Sequence, residues 1–183
     1  APVQPPFPYP VQSFNPATYQ GGGYIAAGGS DSTSSSLVDR IDFTNDTATA
    51  VAKGTMPSAK FNRSGTSSVT HGYIAGGRPG PLSTTDRISY ASDTSTASPK
   101  GPLSYARAGA AAVGTVNYGY WLGGNQPGYT TRVDRLDFAS DSSTAVTKGS
   151  LTATRGYGAA VGNQSYGYHC GGSDGNPQSN IDR

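Results

Sequence analysis

The sequence predicts an all-β fold: a β-propeller built from four-stranded antiparallel blades of about 48 residues, incomplete in this chain. Three observations predict it. The first is a repeat. Glycine doublets in "GYIAAGG", "GYIAGG", "GYWLGG" and "GYHCGG" begin at residues 28, 76, 123 and 171, in steps of 48, 47 and 48. Asp-Arg pairs at 39, 86, 134 and 182 and Lys-Gly pairs at 53, 100 and 148 keep the same period. That period suits propeller blades and some paired-helix repeats. The second observation removes the helices: no stretch carries apolar residues at i, i+3, i+4 and i+7. The third is that Gly, Ser, Thr and Tyr crowd every unit, and strand-like alternation is punctuated by turn residues.

The elements follow in order. Residues 1–20, "APVQPPFPYPVQSFNPATYQ", have no periodicity. Pro5, Pro6, Pro8 and Pro10 favour an extended path. The segment reads either as a linker or as an arm laid on a neighbouring subunit, with Phe7, Tyr9, Phe14 and Tyr19 as anchors. Residues 21–183 hold the repeats. One complete unit starts at Arg107: "RAGAAAVG", then "NYGYWLGG", a loop "NQPGYTT", then "RVDRLDF", a turn "ASDSS", and "STAVTKG". Small residues in the first strand suit crowding around a central axis. Asn, Asp and Ser at the hairpin tips bond their own backbone. The first unit lacks the small-residue strand, and the last, "SNIDR", is interrupted inside its third strand. The pattern predicts a piece of a longer chain, or blades combined from several chains.

Composition narrows the function classes. Leu, Ile, Val and Phe make up 26 of 183 residues, below the roughly 20% usual for folded domains. Disordered chains of that kind also carry high net charge, whereas this one has +2. The balanced charge argues against nucleic acid as a partner. No apolar run approaches the length of a membrane-spanning helix. Cys170, the single cysteine, cannot form an internal disulfide and is expected to be a small buried hydrophobe.

Strand order, the doublet after an aromatic-bearing strand, and the Leu-x-x-x-Arg lead-ins "LSYAR" and "LTATR" resemble the kelch repeat across about residues 21–183. The first lead-in has the weaker form "MPSAK". Kelch repeats usually carry Trp in the fourth strand. Here that strand reads "STAVTK" or "TATAVAK", and Trp121 sits elsewhere. The phrase "DRIDFTNDTATAVAKG" resembles repeat proteins of tailed phages infecting marine cyanobacteria, as does the Pro-Tyr-rich start. The resemblance implies a virion location and a structural or adhesive role in a tail, fibre or surface appendage. It implies other virion proteins as partners and an oligomeric state in the particle. A host-surface glycan receptor binder and a propeller enzyme acting on polysaccharide are the alternatives.

No catalytic residue, metal site or cofactor is expected. His71 aligns with Tyr118 and Tyr166, and His169 with Ile74 and Trp121, so the two lack ligand spacing. There is no Glu for a glycosidase pair. The charged positions Asp39, Arg40, Asp86, Arg87, Asp134 and Arg135 recur in register and are expected to be structural. Neighbours in a strand face opposite ways. Each Arg should bond a neighbouring blade, a turn carbonyl or a hairpin carboxylate (Asp46, Asp93 or Asp141). The loops after the doublets differ while their flanking strands repeat, and such loops are where recognition sits. Arg78, Asn125, Gln126 and Tyr129 are the candidate recognition residues there.

Overall fold

The computed structural model describes residues 22–29 and 33–183. The expected arm at 1–20 lies outside the described residues. Four antiparallel sheets follow one another along the chain, as blades of a β-propeller. Blade 1 holds β1 (Gly22–Gly29), β2 (Ser34–Asp42) and β3 (Val51–Lys60). Blade 2 holds β4 (Ser64–Ser67), β5 (His71–Ala75), β6 (Thr85–Ser89) and β7 (Ser98–Lys100). Blade 3 holds β8 (Ala111–Gly114), β9 (Tyr118–Leu122), β10 (Arg132–Asp137) and β11 (Val146–Ser150). Blade 4 holds β12 (Ala159–Gly162), β13 (Gly167–Cys170) and β14 (Ile181–Asp182).

The innermost strands are short and made of small residues because they stand side by side. A Cβ on Gly114 of β8 would lie 2.3 Å from the Thr66 hydroxyl oxygen of β4. Alternation along β9 sends Trp121 toward blade 2, where its indole N–H donates to the Ser64 carbonyl at 3.1 Å. Tyr120 and Leu122 point the other way, toward blade 4. The core therefore lies between blades rather than inside one sheet. Tyr73 and Ala75 of blade 2 pack on Trp121, Leu136 and Ala145 of blade 3, with Leu103 joining them. Val38, Met56, Ile88 and Ala97 fill the junction of blades 1 and 2.

Two kinds of charged contact brace this arrangement. The first is a latch inside blades 2, 3 and 4. Arg107 pairs with Asp134 at 2.7 Å, both side chains fully buried. The same guanidinium donates to the carbonyls of Gly123 and Arg132 at 3.2 and 3.0 Å. Arg155 pairs with Asp182 in blade 4, and its Nε donates to His169 Nδ1 at 3.2 Å. Blade 2 solves the problem differently. Lys60 holds the register position of Arg107 and lies 3.2 Å from Asp86. Arg63, three residues on, supplies the guanidinium: 2.7 Å to Asp86, with donations to the Gly76 and Thr84 carbonyls at 3.0 and 3.2 Å. The group is repeated in space though not in register.

The second is a clamp between blades. Asp141 at the blade 3 hairpin accepts from Tyr73 at 3.0 Å and pairs with Arg87 at 2.7 Å and Lys100 at 3.3 Å, all from blade 2. Asp93 of blade 2 likewise receives Tyr24, Arg40 and Lys53 of blade 1, at 3.0, 2.8 and 3.4 Å. The two members of each Asp-Arg pair thus do different work: the Asp closes its own blade and the Arg grips the next. Three positions depart from the sequence expectation. Arg135 has no carboxylate partner among the described residues and instead lies over the Tyr118 ring at 4.3 Å. Asp46 is exposed and in no ion pair there, because it is the first hairpin described and no described blade precedes it. Asp39 is in no ion pair among the described residues, where blade 1 has three strands and no small-residue strand with a lead-in Arg.

Candidate recognition face

The loops joining the second and third strands of blades 2, 3 and 4 span residues 76–84, 123–131 and 171–180. Each is held from below by the lead-in of its own blade through one reciprocal backbone pair. Phe61 and Arg78 make it in blade 2, Ala108 and Asn125 in blade 3, and Gly156 and Ser173 in blade 4. The lead-ins are then tied across blades: Gly109 N–H donates to the Asn62 carbonyl at 2.9 Å, and Tyr157 N–H to the Gly109 carbonyl at 2.7 Å. All three residues are left-handed, with φ of 52° at Asn62, 61° at Gly109 and 58° at Tyr157. Asn and Gly tolerate that region, whereas a bulky Tyr is strained in it.

The strain sets an aromatic side chain on the loop face. Tyr157 is 47% exposed. Its ring lies so close over Gly109 that a Cβ there would be 2.4 Å from it. Tyr129 meets it edge-on, with centroids 6.4 Å apart. Asn125, Gln126 and Tyr129 share one loop, and Gln126 N–H donates to the Gly128 carbonyl at 2.7 Å. The Gln126 side-chain carbonyl oxygen is buried without a partner among the described residues. Arg78 stands at the matching position of the neighbouring blade, half-buried. So three of the four residues singled out from sequence are gathered on one loop, and Arg78 belongs to the next. Tyr157 was missed. Its signal was present: Tyr stands where the repeat has Gly109.

What the face offers is stacking area and amide hydrogen bonds. The histidines are elsewhere. His71 Nδ1 contacts the Thr70 hydroxyl at 2.8 Å. His169 is fully buried, and its Nδ1 accepts from Arg155 Nε at 3.2 Å. Burial, and then the adjacent Arg155 charge, hold His169 below its ordinary pKa, so it serves as a neutral acceptor. No group of three or more His, Cys, Asp or Glu side chains that could hold a metal occurs among the described residues. Cys170 is half-buried rather than buried, because its face of β13 points away from blade 3 and no described blade covers it.

No family model matches this chain, and no curated protein matches it. Among solved structures it is similar to "Structure of YjhT", with a TM-score of 0.72 at 15% sequence identity. The match covers 89% of this chain and 63% of that one, so the chain spans less than two thirds of that protein's length. A likeness at this identity shows the fold, a β-propeller, and nothing of the activity.

Proposed function

We propose that the protein is a non-enzymatic structural and adhesive component of a virion, in a tail, fibre or surface appendage. Its propeller frame presents the loops 76–84, 123–131 and 171–180 to a partner. The observation that carries this reading is a division of labour among side chains. The buried charges of the latches and the partly buried charges of the clamps are engaged with one another. The loop face carries the exposed Tyr157 beside the half-buried Tyr129, Asn125 and Gln126. A rigid frame with variable loops is a usual platform for recognition. The virion location rests on the resemblance carried by "DRIDFTNDTATAVAKG" and the Pro-Tyr-rich start. Other virion proteins are the first partners, in an oligomeric particle.

A host-surface glycan is the second reading. Aromatic faces beside amides suit the mixed apolar and hydroxyl surface of a sugar. Adsorption of labelled protein to cyanobacterial cells, with and without soluble cell-surface polysaccharide, tests both readings. A Tyr129→Ala, Tyr157→Ala double variant should bind cells at least tenfold more weakly while unfolding at an unchanged temperature. Unaltered adsorption would remove the loop face from the proposal. Release of saccharide product from the same polysaccharide would favour the enzyme alternative.

A further inference from the structure

The latches of blades 2, 3 and 4 differ at one register position. The residue paired across the sheet from the latch Asp is Ile74 in blade 2, Trp121 in blade 3 and His169 in blade 4. Ile74 is apolar, and the Trp121 indole reaches across to blade 2. His169 engages its own latch instead, and it is fully buried. Its Nδ1 accepts from Arg155 Nε, so the ring hydrogen stands on Nε2, which is buried without a partner among the described residues. Arg155 depends on that bond. In blade 3 the Nη1 of Arg107 donates to two carbonyls, whereas the Nη1 of Arg155 is buried with no partner among the described residues. The blade 4 guanidinium is therefore held by Asp182 and a neutral imidazole.

Two charges act on this ring. Arg155 reaches it from the lead-in and opposes protonation, and Asp182 faces it from β14 and favours it. The inner strands packed on β13, which are β12 of its own blade and β8 of blade 3, hold only Ala, Val and Gly. The ring is also wedged in place. A Cβ on Gly158 would lie 2.5 Å from its Cε1, and Gly158 holds the register place of Arg63 and Ala110. A proton can enter only at Nδ1, the atom that accepts from Arg155, and two N–H groups then face each other. The imidazolium would stand out of water beside a guanidinium, with one carboxylate for two cations. The chain has two His and no Glu. Between about pH 7 and 5 the histidines are therefore the side chains that gain charge.

We propose that Arg155, His169 and Asp182 form an acid-sensitive latch, which opens in mildly acidic medium and releases blade 4 from the loop face. The sign follows from burial. A His buried in neutral form takes its proton more readily in the unfolded chain. The stability it lends is present above its ordinary value of 6.5 and is lost as pH falls toward the lower folded-state value. The latch secures the lead-in. Arg155 is followed by Gly156, whose backbone pairs with Ser173, and by Tyr157, whose N–H donates to the Gly109 carbonyl. Once the guanidinium is free, the left-handed Tyr157 relaxes and its ring leaves Tyr129. Blades 2 and 3 hold Ile74 and Trp121 in this place, so the response is confined to blade 4. A loss of binding in acid rests on the loop-face reading above; the latch itself does not.

Hydrogen exchange tests it, read on the blade 4 lead-in and strands against β9 and β10 of blade 3 and corrected for intrinsic rates. Between about pH 7 and 5 the opening of blade 4 should rise at least about fivefold, while β9 and β10 stay constant. His169→Asn keeps an acceptor near the place of Nδ1 and takes no proton, so the response should vanish. His71 is the internal control. It is half-buried and faces Arg87, Asp141 and Lys100 of the clamp, which the Gly101 N–H also holds by donating to the Asp141 carbonyl at 2.8 Å. His71→Gln should keep the blade 4 response. Should His169→Asn fail to fold, NMR titration of the unaltered protein decides: the His169 ring should change in step with blade 4 opening, below 6.5. Exchange independent of pH, a response that survives His169→Asn or is lost in His71→Gln, or a ring that titrates at 6.5 with blade 4 closed would overturn the proposal. Cell adsorption that persists at about pH 5 while blade 4 opens would uphold the latch and remove Tyr157 from the recognition face.

Discussion

The latch in blade 3 and the clamp between blades 2 and 3 both rest on an Asp and an Arg, yet they sit in different media. Arg107 and Asp134 are fully buried, and the guanidinium meets the carboxylate and two carbonyls within one blade. Asp134 also accepts from the backbone and hydroxyl of Ser104, at 2.9 and 2.6 Å. In the clamp, the Arg87 side chain keeps 27% of its surface in solvent and Asp141 keeps 9%. A buried pair is strongly destabilising to break, because the surviving charge is stranded. A rim pair is screened and contributes little by itself. The contrast shows why the latch uses a guanidinium in every blade described with an inner strand, while the clamp adds a Tyr, a Lys and a backbone bond to its Arg.

The comparison can be broken in order of expected effect. Arg107→Ala should cost about 3–5 kcal/mol in chemical denaturation. Arg107→Lys should recover little, because one ammonium cannot reach the carboxylate and both carbonyls. Blade 2 shows the remedy: with Ala110→Arg added, at the position of Arg63, part of the loss should return. If Arg107→Lys alone unfolds like the parent, the role assigned to the guanidinium in the latch is wrong.

Gly101→Ala comes next. Its Cβ would strike the backbone of the next blade's hairpin, which cannot move without opening the clamp. A loss of about 2–3 kcal/mol is expected, near the upper end of ordinary single substitutions. A variant as stable as the parent would mean that the junction slides to accommodate a methyl group.

Arg87→Ala should be the mildest, about 1 kcal/mol or less and weaker still in high salt. Its sharper readout is pH. Burial works against the Asp141 charge, but the Tyr73 hydroxyl, Lys100 and Arg87 outweigh it and hold the carboxyl below its ordinary value of 3.8. This stabilisation is present above 3.8 and is lost as pH falls through the lower folded-state value. Tyr73 is pushed up to about 12, first by burial and then by Asp141. Its contribution is lost as pH climbs from 10.0 toward that value. Thermal midpoints across pH should fall at both ends, and Asp141→Asn should flatten the acid limb. An acid limb of unchanged slope in that variant would assign the acid sensitivity to other carboxylates.

The sequence by itself determined the blade period, the order of strands within a blade and the tips of the hairpins. These are local: alternation chooses which residues face the next blade, and Asp with its neighbouring hydroxyl residues turns the chain wherever it occurs. It also marked the Asp-Arg pairs as recurring. Which blade each member serves was decided only in three dimensions. The Arg107–Asp134 and Arg87–Asp141 partners lie 27 and 54 residues apart, on strands brought together by sheet pairing and by blade stacking respectively. Arg63 stands out of register, so no alignment of repeats would have equated it with Arg107; only a shared position in space does. Tyr157 is legible as a Tyr in a Gly position, but its exposure follows from the backbone rung to Gly109, a bond between two blades. The physical reason is common to all of these. Periodicity is carried by contacts within a strand or a turn, which sequence spacing encodes, whereas charge pairing and strain depend on the distance between strands that only the packed blades bring together.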